Sequence, residues 1–348
     1  MMKAAILVND REIRFGEVPK PDPKNGQVLI RVHWASICGT DLHIYLGEFK
    51  PRVVYPRILG HEFSGVVESV GKDVLHLKKG ERVVVDPILW CNRCPACLNG
   101  HHNACHFLKL MGVDIDGAFA EYVVADVDKV FKVPEEMSLR EAALVELYSI
   151  GVHSARRAMI EPGDRVVILG AGRLGLSVLE VIRQTGASWV CSVDLLENRL
   201  EIAKRLGADL TINALGENPV QKILSVTKGF GVDRVIETVG AAVAIEGRKM
   251  PIEQAVQMAR YGGRIVVMGM GPQSTPVFWK EFVEKEIQLV GSRVTLGDFP
   301  RALDLMSHGR FHPDLLISKE YPLEETGEAF RLLEEEPDRY LKVLIRIV

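Results

Sequence analysis

Apolar residues fall along this chain in two textures. Through the first ~145 residues they come in short β-like runs broken by Gly and Pro, such as Val28-Leu29-Ile30-Arg31-Val32, Gly65-Val66-Val67-Glu68-Ser69-Val70 and Arg82-Val83-Val84-Val85. Helical periodicity is scarce there. The texture changes near Glu161-Pro162-Gly163-Asp164. Beyond it, continuous apolar runs predict strands at Arg165–Leu169, Trp189–Val193, Asp233–Glu237, Arg264–Met268 and Ile287–Val290, with a shorter one at Leu210–Ile212. Helical spacing lies between them at Leu174–Gln184 and Asn198–Leu206. Strands alternating with helices predict a parallel sheet covered by helices, an α/β domain. The last ~50 residues, from about Leu296, read as leaving this alternation. They end in a strand-like run, Leu341-Lys342-Val343-Leu344-Ile345-Arg346-Ile347, expected to pack back on the first domain. No internal repeat or low-complexity segment is visible.

The length of 348 residues fits about two domains of roughly 150 residues each. A 47% apolar content is enough for packed cores. With 43 basic and 46 acidic residues the net charge is −3, which gives no basic field for nucleic acid or an anionic membrane. The apolar N-terminus is too brief for a secretory signal, and no run of ~18 apolar residues predicts a spanning helix. The expectation is a cytoplasmic protein.

Gly170-Ala171-Gly172-Arg173-Leu174-Gly175 matches G-x-G-x-x-G at the end of one predicted strand and the start of a helix. In that setting the first Gly makes the turn, the second admits a pyrophosphate to the backbone, and the third lets helix pack on sheet. Asp194 ends the next predicted strand, where an acid receives ribose hydroxyls and repels a 2′-phosphate, so NAD is expected over NADP. Arg199 lies five residues on, where an arginine either softens that preference or, more often, stacks on the adenine or meets solvent, so NAD stands. Thr238, Met268, Gly269, Met270 and Arg293 lie at or just past predicted strand ends, where ligands of open α/β sheets bind, and are expected to border the nicotinamide. Arg293 also offers a guanidinium for a substrate carboxylate.

Five of the six cysteines fall where metal ligands are needed. Cys91, Cys94, Cys97 and Cys105 form C-x2-C-x2-C-x7-C, a spacing that wraps a tetrahedral ion in four thiolates. An iron–sulfur cluster or a nucleic-acid-binding zinc ribbon shares that ligand count; the slightly acidic chain disfavours the ribbon, and an architectural zinc is the adopted reading. His101, His102 and His106 are expected at the surface, and Cys191, inside a predicted strand, in the core. Cys38, His61 and Glu62 offer a thiolate, an imidazole and a carboxylate, a set that leaves one zinc position open as a catalytic site requires. Glu146, taken alone, reads as an ordinary surface glutamate.

Together these residues resemble the zinc-dependent medium-chain dehydrogenase/reductases over essentially the whole chain. The matching segments are Cys38-Gly39-Thr40-Asp41, Gly60-His61-Glu62-Phe63-Ser64-Gly65, the four-cysteine lobe, Gly117-Ala118-Phe119-Ala120-Glu121-Tyr122 and Gly170–Gly175. The resemblance implies a Rossmann doubly wound parallel sheet plus a mainly β GroES-like catalytic domain carrying a structural zinc lobe. It divides the chain into residues 1–148, 149–295 and a 296–348 segment returning to the first domain. It implies NAD and two zinc ions per subunit, Cys38, His61 and Glu62 as ligands of the catalytic one, and Glu146 as a carboxylate that exchanges with zinc-bound water. Leu147 departs from the proline usual after that glutamate. Thr40 matches a hydroxyl beside the substrate oxygen, and His43 is placed either to carry its proton outward or to serve as a packing or ribose-contacting residue. Relatives are commonly homodimers or homotetramers.

Within the family the chain looks most similar to the polyol and sugar-acid branch, with sorbitol, L-idonate and L-gulonate dehydrogenases as relatives; Gly291-Ser292-Arg293 followed by Phe299-Pro300 carries that likeness. The expected reaction is hydride transfer from a secondary alcohol, activated on zinc, to NAD. Cys38–Tyr45 also resembles L-threonine 3-dehydrogenases, so threonine and 2,3-butanediol stand as alternative substrates. A protein that keeps the NAD and zinc sites without catalysis is the alternative from another class.

Overall fold

The run Val28–Val32 lies inside a strand, Gln27–Ser36, on which the first unit is built. The computed structural model describes residues 1–240, 249–271, 274–308 and 310–348. The chain divides into two compact units, one of Met1–Glu146 with Phe299–Val348 and one of Leu147–Asp298.

In the first unit, Gln27–Ser36 pairs antiparallel with Glu62–Val70 on one side and with Lys342–Arg346 on the other, and also with Tyr122–Asp126. Across the sheet the order is Val130–Lys132, Arg82–Val85, Glu62–Val70, Gln27–Ser36, Lys342–Arg346 and Ile317–Pro322. The register sets Glu62 and Leu344 both opposite Ser36, so the end of the chain lies beside its early strands. A hairpin, Met2–Asn9 with Glu12–Val18, closes one flank. Phe330 packs its ring 5.9 Å from Phe119 and 5.2 Å from Tyr45. Full burial of a phenylalanine contributes roughly 2–3 kcal/mol.

The tail corrects one expectation. Ile317–Pro322 and Lys342–Arg346 are parallel and are joined by the helix Thr326–Glu335, so a strand–helix–strand unit does occur after Leu296. Ile317–Pro322 is an edge strand with Ser318, Lys319 and Glu320 exposed, so it lacks the apolar run that marks a buried strand.

In the second unit six parallel strands lie in the order Leu210–Asn213, Trp189–Asp194, Arg165–Leu169, Val232–Glu237, Ala259–Val267 and Gln288–Gly291. Val166, Val167 and Ile168 are all fully buried because both faces of the sheet are covered, which is why these strands read as unbroken apolar runs. The helices expected at Leu174–Gln184 and Asn198–Leu206 begin one residue earlier, at Arg173–Arg183 and Glu197–Arg205. Sequence patterning did not mark the 14-residue helix Val145–Ala158. It carries Gly151 in its interior, where a Cβ would press on Val181 at 3.2 Å and on the Ser177 carbonyl at 3.3 Å. Close helix packing explains a glycine that propensity counts against a helix. Among the described residues no helix is long and apolar enough to cross a membrane.

Candidate metal and cofactor sites

Cys38 caps the helix Gly39–Tyr45, and the Asp41 carboxylate reaches back to accept the Cys38 backbone N–H at 2.9 Å. The other Asp41 oxygen accepts the Gly60 N–H at 3.2 Å and lies 3.3 Å from His61 Nδ1. A fully buried carboxylate therefore joins the loop bearing Cys38 to the turn bearing His61. Gly60 makes that turn with φ of 94°, a conformation that favours glycine, directly over the Phe119 ring. His61 and Glu62 then enter the strand Glu62–Val70.

This places one ligand atom each from Cys38, His61 and Glu62 within 4.8 Å of one another. The Asp41 carboxylate lies beside Nδ1 at ion-pair distance, though Nδ1 itself makes no hydrogen bond, and a carboxylate beside one ring nitrogen is the arrangement that orients a metal-binding histidine. Burial alone would lower the His61 pKa, but Asp41 and Cys38 raise it well above its ordinary value. A field that draws a proton to this imidazole also favours a metal cation, so the donor set fits zinc.

Two buried side chains complete the surroundings. Glu146 is 5% exposed, contrary to its reading as a surface glutamate, because the apolar Leu144, Val145, Leu147 and Tyr148 around it are all buried. Its pKa is pushed up to about 8, first by burial and then by the Glu62 carboxylate, while His61 and Lys342 oppose the shift. Lys342 is 0% exposed and donates to the Glu62 carboxylate and, at 3.3 Å, to the Ile37 carbonyl. Neither Lys342 nor the bridging role of Asp41 was read from the sequence. A lysine within an otherwise apolar strand run was the available signal for the first, since lysine is almost never fully buried unless paired.

Thr40 and His43 lie on the helix Gly39–Tyr45, Thr40 half-buried and His43 with its side chain 57% exposed. His43 Nδ1 is 2.7 Å from Glu48 Oε2.

In the four-cysteine lobe, Sγ of Cys91 is 4.0 Å from that of Cys97, and Sγ of Cys94 is 3.9 Å from that of Cys105. The separations are far above a disulfide bond length. All four sulfurs lie within 4.8 Å of one another, as a tetrahedral thiolate site requires. Backbone N–H groups of Cys97 and His106 lower the Cys94 pKa to about 6, and the N–H of Cys94 donates to Cys91 Sγ at 3.3 Å. His101 and His106 are exposed, as expected, whereas His102 is half-buried and stacks on Trp90 at 4.7 Å.

In the second unit each glycine of the G-x-G-x-x-G loop has its own role. Gly170 has φ of 98°, and a Cβ there would meet Thr238 Oγ1 at 2.5 Å. A Cβ at Gly175 would lie 1.8 Å from the Gly170 carbonyl. Gly172 caps the helix Arg173–Arg183 without a side-chain cap, and a Cβ on it would meet no protein atom within 4 Å. The first and third glycines are demanded by packing within the protein. The second leaves open space at a helix N-terminus, which fits a pyrophosphate. Asp194 ends its strand and accepts the Ala171 N–H at 2.6 Å and the Leu195 N–H at 2.8 Å, with Arg199 4.0 Å away. Thr238 donates its hydroxyl to the Leu169 carbonyl at 2.8 Å and thereby pins the loop. Met268 is buried just past the strand Ala259–Val267 and donates its N–H to the Glu237 carbonyl at 2.8 Å, while the Glu237 carboxylate accepts the N–H groups of Val239 and Gly240, each at 2.7 Å. Met270 is 86% exposed, and Arg293 is exposed just past the Gln288–Gly291 strand. Cys191 is fully buried, and burial raises its thiol pKa.

Residues 24–135 match the alcohol dehydrogenase GroES-like domain, and residues 174–308 match the zinc-binding dehydrogenases. Sorbitol dehydrogenase of Bacillus subtilis (strain 168) is 34% identical, the match covering 99% of this chain and 97% of that protein. L-threonine 3-dehydrogenase of Bacillus velezensis is also 34% identical, over 94% of this chain and 95% of its own. The solved structure of the rspB alcohol dehydrogenase of Escherichia coli CFT073, a complex with NADH, superposes with a TM-score of 0.90 at 31% identity, covering 99% of each chain. The chain belongs to the zinc-binding dehydrogenase family. It is an enzyme, an oxidoreductase of the zinc-dependent alcohol dehydrogenase class.

Proposed function

We propose that this enzyme oxidises a secondary alcohol of a polyol or sugar acid and passes the hydride to NAD. The observation that carries the reading is the convergence of Cys38, His61 and Glu62 within 4.8 Å of one another, beside the buried carboxyl of Glu146. We assign Cys38, His61 and Glu62 to a catalytic zinc, with Glu146 as the exchanging carboxylate, and Cys91, Cys94, Cys97 and Cys105 to a structural one. Gly170, Gly172, Arg173, Leu174, Gly175, Asp194 and Arg199 are assigned to the adenosine and pyrophosphate of NAD. Thr238, Met268, Gly269, Met270 and Arg293 are assigned to its nicotinamide half.

When bound, zinc supplies Lewis-acid activation of a hydroxyl and the nicotinamide supplies the hydride acceptor. The protein supplies the rest. Asp41 lies beside His61 Nδ1 and orients the ring, and Lys342 balances the charge of Glu62. The Thr40 hydroxyl receives the substrate proton and hands it to His43, whose exposed ring, held by Glu48, releases it to solvent.

Likeness to a sorbitol dehydrogenase supports a polyol, and the exposed Arg293 guanidinium suits a sugar-acid carboxylate. The thiolate lobe needs a reducing compartment, so we place the enzyme in the cytoplasm. We assign a homo-oligomer through the Gln288–Gly291 edge strand and the exposed Trp279 and Val283 near it in sequence.

The test is NADH formation by the zinc-loaded enzyme with sorbitol, L-idonate, L-gulonate, L-threonine and 2,3-butanediol. Turnover of a polyol or sugar acid with the highest kcat/KM is the expected result. Preference for threonine would replace the substrate assignment, and absence of turnover on every alcohol would overturn it.

A further inference from the structure

Lys342 is an unusual residue to find where it is. Its neighbours Leu341, Val343, Leu344 and Ile345 are all buried apolar side chains, and its own exposure is 0%. Removing an ammonium from water costs several kcal/mol, and an apolar residue of similar volume usually serves stability as well as a buried ion pair does. The sheet therefore has no need of a charge here. What the charge does reach is Glu62, one of the three residues whose ligand atoms converge.

The geometry explains how a residue near the chain terminus gets there. Leu344 and Glu62 both face Ser36 across the central strand, and the Ile37 N–H bonds the Val343 carbonyl at 3.0 Å. Lys342 begins the terminal strand, and its side chain lies along the edge of the ligand cluster. Its Nζ is held from a second side by the Ile37 carbonyl at 3.3 Å, one residue before Cys38. The ammonium is thus fixed in position and does not swing freely.

We propose that Lys342 is a positioning residue of the metal centre: it shares the Glu62 carboxylate with the bound metal and makes Glu62 the most easily released of the three ligands. The inference rests on Cys38, His61 and Glu62 being a metal centre. The sign follows from charge. An anion behind a histidine ligand raises that ligand's basicity, as Asp41 does beside His61. Lys342 is a cation behind an anionic ligand. It repels the metal, draws electron density from the carboxylate, and takes over Glu62 when the metal–oxygen bond opens. Glu62 then has a place to go, and a coordination position stays exchangeable.

The experiment follows zinc release from the intact zinc-loaded protein to an excess of chelator, with the four-thiolate zinc as an internal slow phase. Lys342→Met removes the charge and keeps the volume. Release of the faster zinc should slow by about tenfold, equivalent to about 1.4 kcal/mol, and Lys342→Arg should restore the wild-type rate. The visible spectrum of the cobalt(II)-loaded Lys342→Met protein should also change, because the Glu62 bond to the metal tightens. In a Glu62→Gln background the same substitution should leave the rate unchanged. An unchanged or faster release in Lys342→Met would overturn the proposal. Should that variant not fold, Glu62→Gln alone decides: a labile ligand predicts release less than about tenfold faster than wild type, and a larger acceleration overturns it. If Cys38→Ser leaves the fast phase intact, the metal assignment itself has failed.

Discussion

The carboxylate of Asp41 stands 3.3 Å from His61 Nδ1 while its second oxygen holds the Cys38 N–H at 2.9 Å. One buried side chain therefore fixes two of the three converging residues, which come from loops more than twenty positions apart in sequence. Asp41→Asn keeps the volume and loses the charge. It is expected to weaken retention of the catalytic zinc by about 10–100-fold, the usual effect of losing such a partner. Equilibrium competition with a chelator checks this, and retention equal to wild type would show that Asp41 serves the fold alone.

The three glycines of the nucleotide loop separate packing from ligand binding. Gly175→Ala forces a Cβ to within 1.8 Å of the Gly170 carbonyl and should lower the melting temperature by several degrees, consistent with a cost of a few kcal/mol. Gly172→Ala meets no protein atom and has an ordinary negative φ, so its melting temperature should stay within about two degrees of wild type. Its NADH affinity should nevertheless fall by about tenfold or more, because the open space is where a pyrophosphate approaches the backbone. Calorimetry and NADH fluorescence titration read the two effects separately. Unchanged NADH affinity in Gly172→Ala would remove this loop from the cofactor site.

Much of the second unit was legible because each strand, covered on both faces, shows as a continuous apolar run, and the loop after Arg165–Leu169 carries its glycines at fixed spacing. The converging ligands were legible because cysteine and histidine are scarce and chemically specific. Lys342 was not, because its contact depends on the register of three strands, two of which lie some 280 positions apart, and no local pattern encodes that register. Glu146 was misplaced at the surface for a related reason: its burial is set by packing of the flanking Leu144, Val145, Leu147 and Tyr148. Those four apolar neighbours were visible in the sequence and were the clue to it. The strand Ile317–Pro322 escaped notice because an edge strand turns polar residues to water.

The four-cysteine lobe has little apolar core of its own: three of the cysteines are themselves its buried residues, with Trp90, Ala96 and Leu108 packed against them. Such a lobe depends on its metal for structure. Cys97→Ala is expected to lower bound zinc by about one ion per chain. Limited proteolysis should then cut within residues 91–108, where the wild-type zinc-loaded enzyme resists. Full zinc content and unchanged protease resistance in the variant would contradict a structural metal there.

The last prediction concerns acid stability in the second unit. Asp298 is fully buried, and burial works to raise its pKa. His153 Nδ1 at 3.1 Å, the Leu296 N–H at 3.0 Å and the Arg156 guanidinium outweigh that, and the carboxyl titrates below its ordinary value of 3.8. A depressed folded-state pKa contributes stability that is fully present above the unfolded value and is lost as pH falls through the folded value. Asp298→Asn should therefore cost about 2 kcal/mol near neutral pH, where charge-assisted hydrogen bonds are lost from a buried site. The difference from wild type should hold steady on acidification until about pH 4 and shrink below it. Thermal midpoints of both proteins, measured from about pH 7 to about pH 3, trace the difference. A gap that closes well above pH 4 would place the relevant titration on another group, and a gap that never opens would mean the Arg156 and His153 contacts to Asp298 contribute nothing net to folding.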